Sequence, residues 1–498
     1  ALVDGPSGRT LTFRDLRALI RRVAGGLSDR GFRKGDVLCI YSPNLPEYAA
    51  VFFGVATLGG ASATANPLYG AEELARQLRD TGARIIVTIP MLAERAREAA
   101  AAAGGAEVIV FGEAPGCTSF SMLVSTSSRP PAVAIDPSRD VVVLPCSSGT
   151  TGMPKSVMLS HRNLVANLAQ CDSIDDSVPG DHTIGVLPFF HIYGMVVIMC
   201  LALRRGSCVV TMPQFELEQY LRLTQQYRCD RAYIVPPIAL ALAKHPLVDK
   251  FDVSSLVTVM SGAAPMGREL ESACAMRLGC FVKQGYGMTE ASPVTHVTPN
   301  DPSLGRPGSC GTLLANTECR IVHLETGMDV DLGEHGELFI RGPQIMLGYL
   351  NNPEATAQAV DADGWLHTGD VGHADADGYF YIVDRLKEFI KYKAYQVAPA
   401  ELEAVLLTHP AVADVAVIPS ADEEAGEIPR AFVVARGDVR AEDLMEFVAG
   451  IVAPFKKVRA VEFVEKIPKS ASGKILRREL IARDRARQKA EAATSAVA

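Results

Sequence analysis

No two cysteines in this 498-residue chain form a C-x-x-C pair, and the eleven present follow no regular spacing. That argues against a disulfide framework or a cysteine zinc site and suits small buried thiols in a reducing compartment. Basic charge is not in excess: 49 Lys and Arg against 57 Asp and Glu give a net charge of −8 and a pI near 5.8. A nucleic-acid partner usually requires a basic face, so that class is disfavoured. The apolar stretch "GMVVIMCLAL" (residues 194–203) falls short of the ~20 residues of a membrane span and reads as buried helix or strand. The opening "ALVDGPSGRTLTFRDL" is polar and turn-rich, unlike a secretory signal, so the expected setting is cytoplasmic. No repeat of 20–50 residues is present.

What is there is globular: 48% hydrophobic and 21% charged, in a chain too long for one core. Apolar β-rich runs alternate with helical patterns. "DVLCIYSPN" precedes "LPEYAAVFFGVATLGG", and "ARIIVTIP" precedes "MLAERAREAAAAAGG". "DVVVLPCSSGTTG" leads into "SHRNLVANLAQ", where Ser160 is the expected N-cap. Continuous Val/Ile runs between loops predict parallel strands covered on both faces. The composition shifts near residues 378–410, where Asp/Gly turns give way to a Lys-rich hairpin and an amphipathic helix from Pro399. A smaller α+β unit of about 110 residues follows. The tail "RARQKAEAATSAVA" (485–498) is expected to fray.

The stretch "PCSSGTTGMPKSVMLSHR" (145–162), a run of Ser, Thr and Gly ending in Lys, reads as a candidate phosphate-holding loop. A Walker loop needs G-x-x-x-x-G-K-[ST], but Pro154 stands where the glycine before Lys155 should be. Proline has no N–H to offer a β-phosphate, so the Walker reading is weak. Three later stretches define the chemistry: "QGYGMTEASPV" (284–294), "GWLHTGDVG" leading to "GYFYIVDRLKEFIKYK" (364–393), and "PKSASGKILRREL" (468–480).

Together with the Ser/Thr/Gly loop, in this order, these motifs resemble the adenylate-forming superfamily of acyl-CoA synthetases, adenylation domains and luciferases. "PFFHIYG", "SGAAP", "GELFIRGPQIMLGYL" and "KYKAYQVAPAELE" are most similar to 4-coumarate and cinnamate–CoA ligases. The resemblance implies an α/β fold: a large multi-layer N-terminal domain (1–384) with a small β-rich subdomain, a hinge (385–387), and a small rotating α+β domain (388–498). It implies ATP, Mg²⁺ and coenzyme A, or the pantetheine of an acyl carrier protein, acting on an aromatic carboxylic acid without nucleic acid or membrane.

Residue by residue, the resemblance assigns the pyrophosphate half of ATP to Ser147, Ser148, Gly149, Thr150, Thr151, Gly152 and Lys155. Ala263, Ala264, Pro265, Gln284, Gly285, Tyr286, Gly287, Met288 and Thr289 would hold the adenylate. Asp370 would take both ribose hydroxyls, two acceptor oxygens suiting two donors, with Arg385 in support. Glu290 would hold Mg²⁺, a hard cation suited to oxygen ligands. Lys474 would span the acyl carboxylate and α-phosphate. His191 would stand at the mouth of an acyl pocket formed by Tyr193, Gly262, Gly285, Pro293 and Val294; a general-base role is disfavoured, since the acid is already ionised near neutral pH. Glycine at 262 and 285 leaves room for a flat ring, and "FFHIYGM" offers no Asp for a substrate ammonium.

Lys387 would be the pivot, bringing Lys391, Lys393, Ala394 and Gln396 to the thiol tunnel in the second half-reaction. Two positions depart from the family pattern. Ser156 replaces a glycine expected to ease a turn after Lys155, and Ala394 replaces one that lets pantetheine approach the backbone. The rival readings are an aryl acid–carrier-protein ligase, a luciferase-like adenylating oxygenase and a non-catalytic nucleotide binder.

Overall fold

A computed structural model describes residues 1–147, 155–393, 395–422, 424–470 and 473–495. The positions 148–152 and 394 singled out above lie outside these residues.

Two large sheets dominate the chain up to Tyr349. In the first, the central strands Val37–Tyr41, Ala61–Ala65, Ile85–Thr88 and Val141–Ser147 run parallel, and Lys155–Ser160 and Gly348–Tyr349 add antiparallel at one edge. In the second, Cys208–Thr211, His182–Gly185, Arg231–Ile234, Thr258–Ser261 and Phe281–Gly287 are parallel neighbours in that order. Their side chains are buried on both faces, as the unbroken apolar runs predict. One apolar core joins both sheets through the helix Pro46–Thr57 and the segment 193–205. That segment is helical and buried, as its apolar run implies, and no helix among the described residues is long and apolar enough to cross a membrane.

Ser160 caps the helix His161–Cys171 by accepting from the Asn163 N–H, and Asn163 answers by accepting from the Ser160 N–H. A turn after Lys155, expected from the missing glycine, is not found. Ser156 lies in a regular antiparallel ladder opposite Cys146, where any L-residue fits.

A four-stranded antiparallel sheet follows, ending in Leu366–Ala374 and Phe380–Arg385. The last sheet begins with the hairpin Ile390–Tyr392/Tyr395–Val397 and carries the long pair Val412–Asp422/Gly426–Ala435. The helix Pro399–Thr408 packs on it with its own apolar core. The helix Arg477–Ser495 runs into the tail segment, and Gln488 donates to Ser420 Oγ and Ala421 O while Asp484 accepts from the buried Ser420 hydroxyl.

Candidate active site

A cavity of about 490 Å³ opens where the two large sheets, the four-stranded sheet and the terminal lysine loop meet. The ends of the parallel strands Val141–Ser147 and Phe281–Gly287 lie there, a usual ligand position in such sheets. One wall is the run Gly285–Glu290 at the end of the strand Phe281–Gly287. Its glycines are dictated by space: a Cβ on Gly287 would lie 2.0 Å from the Pro293 carbonyl oxygen, and one on Gly285 would lie 2.6 Å from Met260 Cε.

Tyr286 and Asp370 are 84 positions apart in sequence, yet the Tyr286 hydroxyl donates to Asp370 Oδ2 at 2.6 Å. Arg385, opposite Asp370 across the antiparallel pair, puts Nε 3.2 Å from Oδ1. Burial raises the pKa of the Asp370 carboxyl, and the Arg385 charge opposes that. Glu290 is buried, and its Oε1 accepts from the Tyr349 hydroxyl at 2.8 Å. The Lys155 ammonium sits 4.8 Å from the centroid of the same Tyr349 ring. Tyr349 thus links Lys155 to the acidic residue of "GMTE" through an amphipathic ring. The sequence reading did not single it out, and the only signal was its place in "GYL".

His191 lines the cavity with Nδ1 accepting from the Tyr193 N–H at 3.3 Å, so in the neutral ring Nε2 carries the proton. Burial, followed by the charge of Lys474, pushes its pKa down to about 4, which keeps the ring neutral at physiological pH. Tyr193 is buried and donates to Met260 O at 3.1 Å. A Cβ on Gly262 would meet the Tyr193 ring at 3.1 Å, so the glycine leaves a slot along this ring. Pro293 and Val294 close the same end of the cavity.

Lys474 reaches the cavity from the small domain. Gly473 lets its loop approach: it adopts φ +78°, and a Cβ there would lie 3.0 Å from Val235 Cγ2. Ser470 and Lys474 close the loop by a backbone bond of 2.8 Å. Burial, and then the neighbouring Arg385, lowers the Lys474 pKa to about 8, opposed by Glu388 and Asp370.

Ser147, Lys155, Ala263, Met288, Thr289, Arg385 and Lys387 also line the cavity. Ala263 is held at φ +69° beside Ala264 and Pro265, which are not on the wall. Gln284 is buried behind it, donating to Met266 O and Glu271 Oε2 and accepting from the Met266 N–H. It braces the Ala263 loop. Lys391, Lys393 and Gln396 are exposed on the hairpin and away from the cavity in this conformation.

Among the described residues no cluster of three His, Cys, Asp or Glu could cage a metal. The buried Glu290 carboxylate on the cavity wall supplies one hard oxygen donor of the kind Mg²⁺ takes.

A buried carboxylate–arginine pair, a second buried carboxylate and two lysines from distant parts of the chain gather around this one cavity. The sequence matches the AMP-binding enzyme family over residues 1–350 and its C-terminal domain over residues 401–474. The chain belongs to this AMP-binding enzyme family. It is 46% identical to a 4-coumarate–CoA ligase of Pinus taeda and 45% identical to 4-coumarate–CoA ligase 1 of Petroselinum crispum. Each alignment covers 97% of this chain, and 91% and 90% of those proteins respectively. The fold is that of the adenylate-forming enzymes. ATP-bound MatB from Rhodopseudomonas palustris superposes with a TM-score of 0.88 at 27% identity, covering 97% of this chain and 95% of that one. The anthranilate CoA ligase AuaEII in complex with anthranoyl-AMP superposes with a TM-score of 0.89 at 26% identity, covering 97% and 94%.

Proposed function

We propose that this protein is an ATP-dependent ligase joining an aryl or cinnamic acid to coenzyme A through an acyl-adenylate. The observation that carries the reading is the convergence of Lys474, His191, Glu290 and Arg385 on one cavity, with Asp370 buried behind the wall and bonded to Arg385 and Tyr286. In the first half-reaction the acid's carboxylate oxygen attacks the α-phosphorus, the bond to pyrophosphate breaks, and acyl-adenylate remains. Two anions must meet, so a cation at the reacting phosphorus is the main requirement. The Lys474 ammonium meets it, Lys155 faces the leaving pyrophosphate, and Asp370 fixes the ribose. Neutral His191 offers its Nε2–H to an oxygen of the acid and holds its orientation. Glu290 would hold Mg²⁺, which when bound neutralises phosphate charge.

In the second half-reaction a thiol displaces AMP. We assign residues 1–384 to the large domain, 385–387 to the hinge with Lys387 as pivot, and 388–498 to a domain that turns. Lys391, Lys393 and Gln396 then face the cavity. The Tyr193–Gly262–Gly285 slot favours a flat ring. Thiol-dependent AMP release from cinnamate, 4-coumarate and benzoate, compared with free coenzyme A and with a holo carrier protein, tests the reading. Turnover with free coenzyme A supports it. Adenylate that accumulates until carrier protein is added moves the function to carrier loading, and oxygen consumption without a thiol moves it to an oxygenase.

Gly262→Val should lower kcat/KM for cinnamate at least about tenfold, the cost of overfilling a packed slot, while the KM for ATP stays unchanged. Parallel loss for small aliphatic acids would contradict the slot. The pH profile carries a second prediction. A lysine is charged below its pKa, so adenylate formation measured as kcat/KM should fall above about pH 8 with the loss of the Lys474 proton. In kcat the descending limb should move to higher pH, because bound phosphate stabilises the ammonium.

A further inference from the structure

We infer that Asp384 is a positioning residue for Lys474, acting as a detachable helix cap supplied across the hinge; the inference rests on the alternating small domain proposed above. The helix Pro399–Thr408 begins without a cap of its own: Ala398 at the N-cap has no side-chain acceptor, and Pro399 has no N–H. The Ala400 N–H is therefore an orphan donor. It is met by Asp384 Oδ2 at 2.9 Å. Asp384 belongs to the strand Phe380–Arg385 of the four-stranded sheet, on the other side of the hinge, and is buried. A carboxylate at a helix N-terminus satisfies the donor and suits the positive end of the helix dipole.

This cap is tied to the lysine loop by buried ion pairs. Arg477, three residues beyond Lys474, bonds Glu403 of the capped helix at 2.8 Å. It also meets Glu388, next to the pivot, at 3.3 Å and donates Nε to Val417 O. Glu403 Oε1 in turn accepts from the Val417 N–H. Lys474, Arg477 and the helix Pro399–Thr408 therefore form one block, and Asp384 holds that block from the large domain. Turning about Lys387 carries the helix N-terminus away from Asp384 and leaves the Ala400 N–H to water. The cap is made in the adenylation arrangement and lost in the other.

The two half-reactions are assayed separately in the full chain: acid-dependent pyrophosphate release, and thioester formation from preformed cinnamoyl-adenylate and coenzyme A. Asp384→Ala should lower the ratio of the first rate to the second about fivefold to tenfold, the equilibrium weight of one helix cap, and Asp384→Asn, which keeps an acceptor oxygen, should lower it less. Adding Ala398→Ser gives the helix a local cap. In the Asp384→Ala background it should recover the midpoint of thermal unfolding without recovering the ratio, which separates positioning from stability. A ratio equal to that of the unmodified enzyme, or one restored along with stability, overturns the inference. Lys474→Ala measured alongside distinguishes the two failures. If it lowers the ratio and the Asp384 variants do not, the cap is refuted and the alternation stands. If it slows both half-reactions equally, the alternation fails and the cap fails with it.

Discussion

Lys474→Ala is expected to slow acyl-adenylate formation by about 10²- to 10³-fold, the usual cost of removing one preorganised charge from a developing anion. Thioester formation from preformed adenylate should keep most of its rate. The reason lies in the position of Lys474, which lines the cavity with Arg385 and His191. Burial already costs this lysine part of its basicity, and such a group is maintained where an anion will repay it. Lys474→Arg should recover little, because a planar fork does not replace a compact point charge between two oxygens. Rapid-quench measurement of pyrophosphate and thioester checks both halves, and equal losses would contradict the division of labour between the domain's two faces.

The second large effect is expected at Asp370. Asp370→Asn keeps the shape but removes the charge that faces Arg385 at 3.2 Å and one acceptor oxygen for the ribose. The Tyr286 hydroxyl, now bonded to Oδ2, would have to share an amide. Hydrogen bonds to charged groups are worth about 1.5–3 kcal/mol, so ATP binding should weaken about tenfold to hundredfold. The KM for the acid should hardly move, since the acyl slot proposed above lies at Tyr193 and Gly262. A titration with a non-hydrolysable ATP analogue reads the first effect, and steady-state kinetics the second. A loss shared equally by both substrates would mean that Asp370 supports the sheet rather than the ribose.

Much of the fold was legible because local rules agreed. The run at 141–147 is a buried strand, Ser160 caps the next helix, and the helix at Pro399 starts where proline allows. The helix entering the tail was not legible because its composition is polar, whereas Gln488 docks on a distant strand. Motif order pointed to Glu290, Asp370, Arg385 and Lys474, but not to what holds them. The Tyr349–Glu290 bond joins positions 59 apart, and Lys155 reaches Tyr349 only because Gly348–Tyr349 pairs with Lys155–Ser160. The Asp384–Ala400 cap is only 16 positions long, yet a proline and an alanine gave no hint that an acceptor was missing. Side-chain contacts of this kind follow from sheet register, which sequence periodicity alone does not set.

The central claim is that this cavity joins a carboxylate to AMP before any thiol takes part. A single-turnover mixture of enzyme, ATP·Mg²⁺ and cinnamate without thiol tests it most directly. A burst of pyrophosphate stoichiometric with enzyme is predicted, with cinnamoyl-adenylate retained on the protein and released as thioester and AMP when coenzyme A is added. Formation of ADP and inorganic phosphate, or no acid-dependent pyrophosphate at all, would contradict the account.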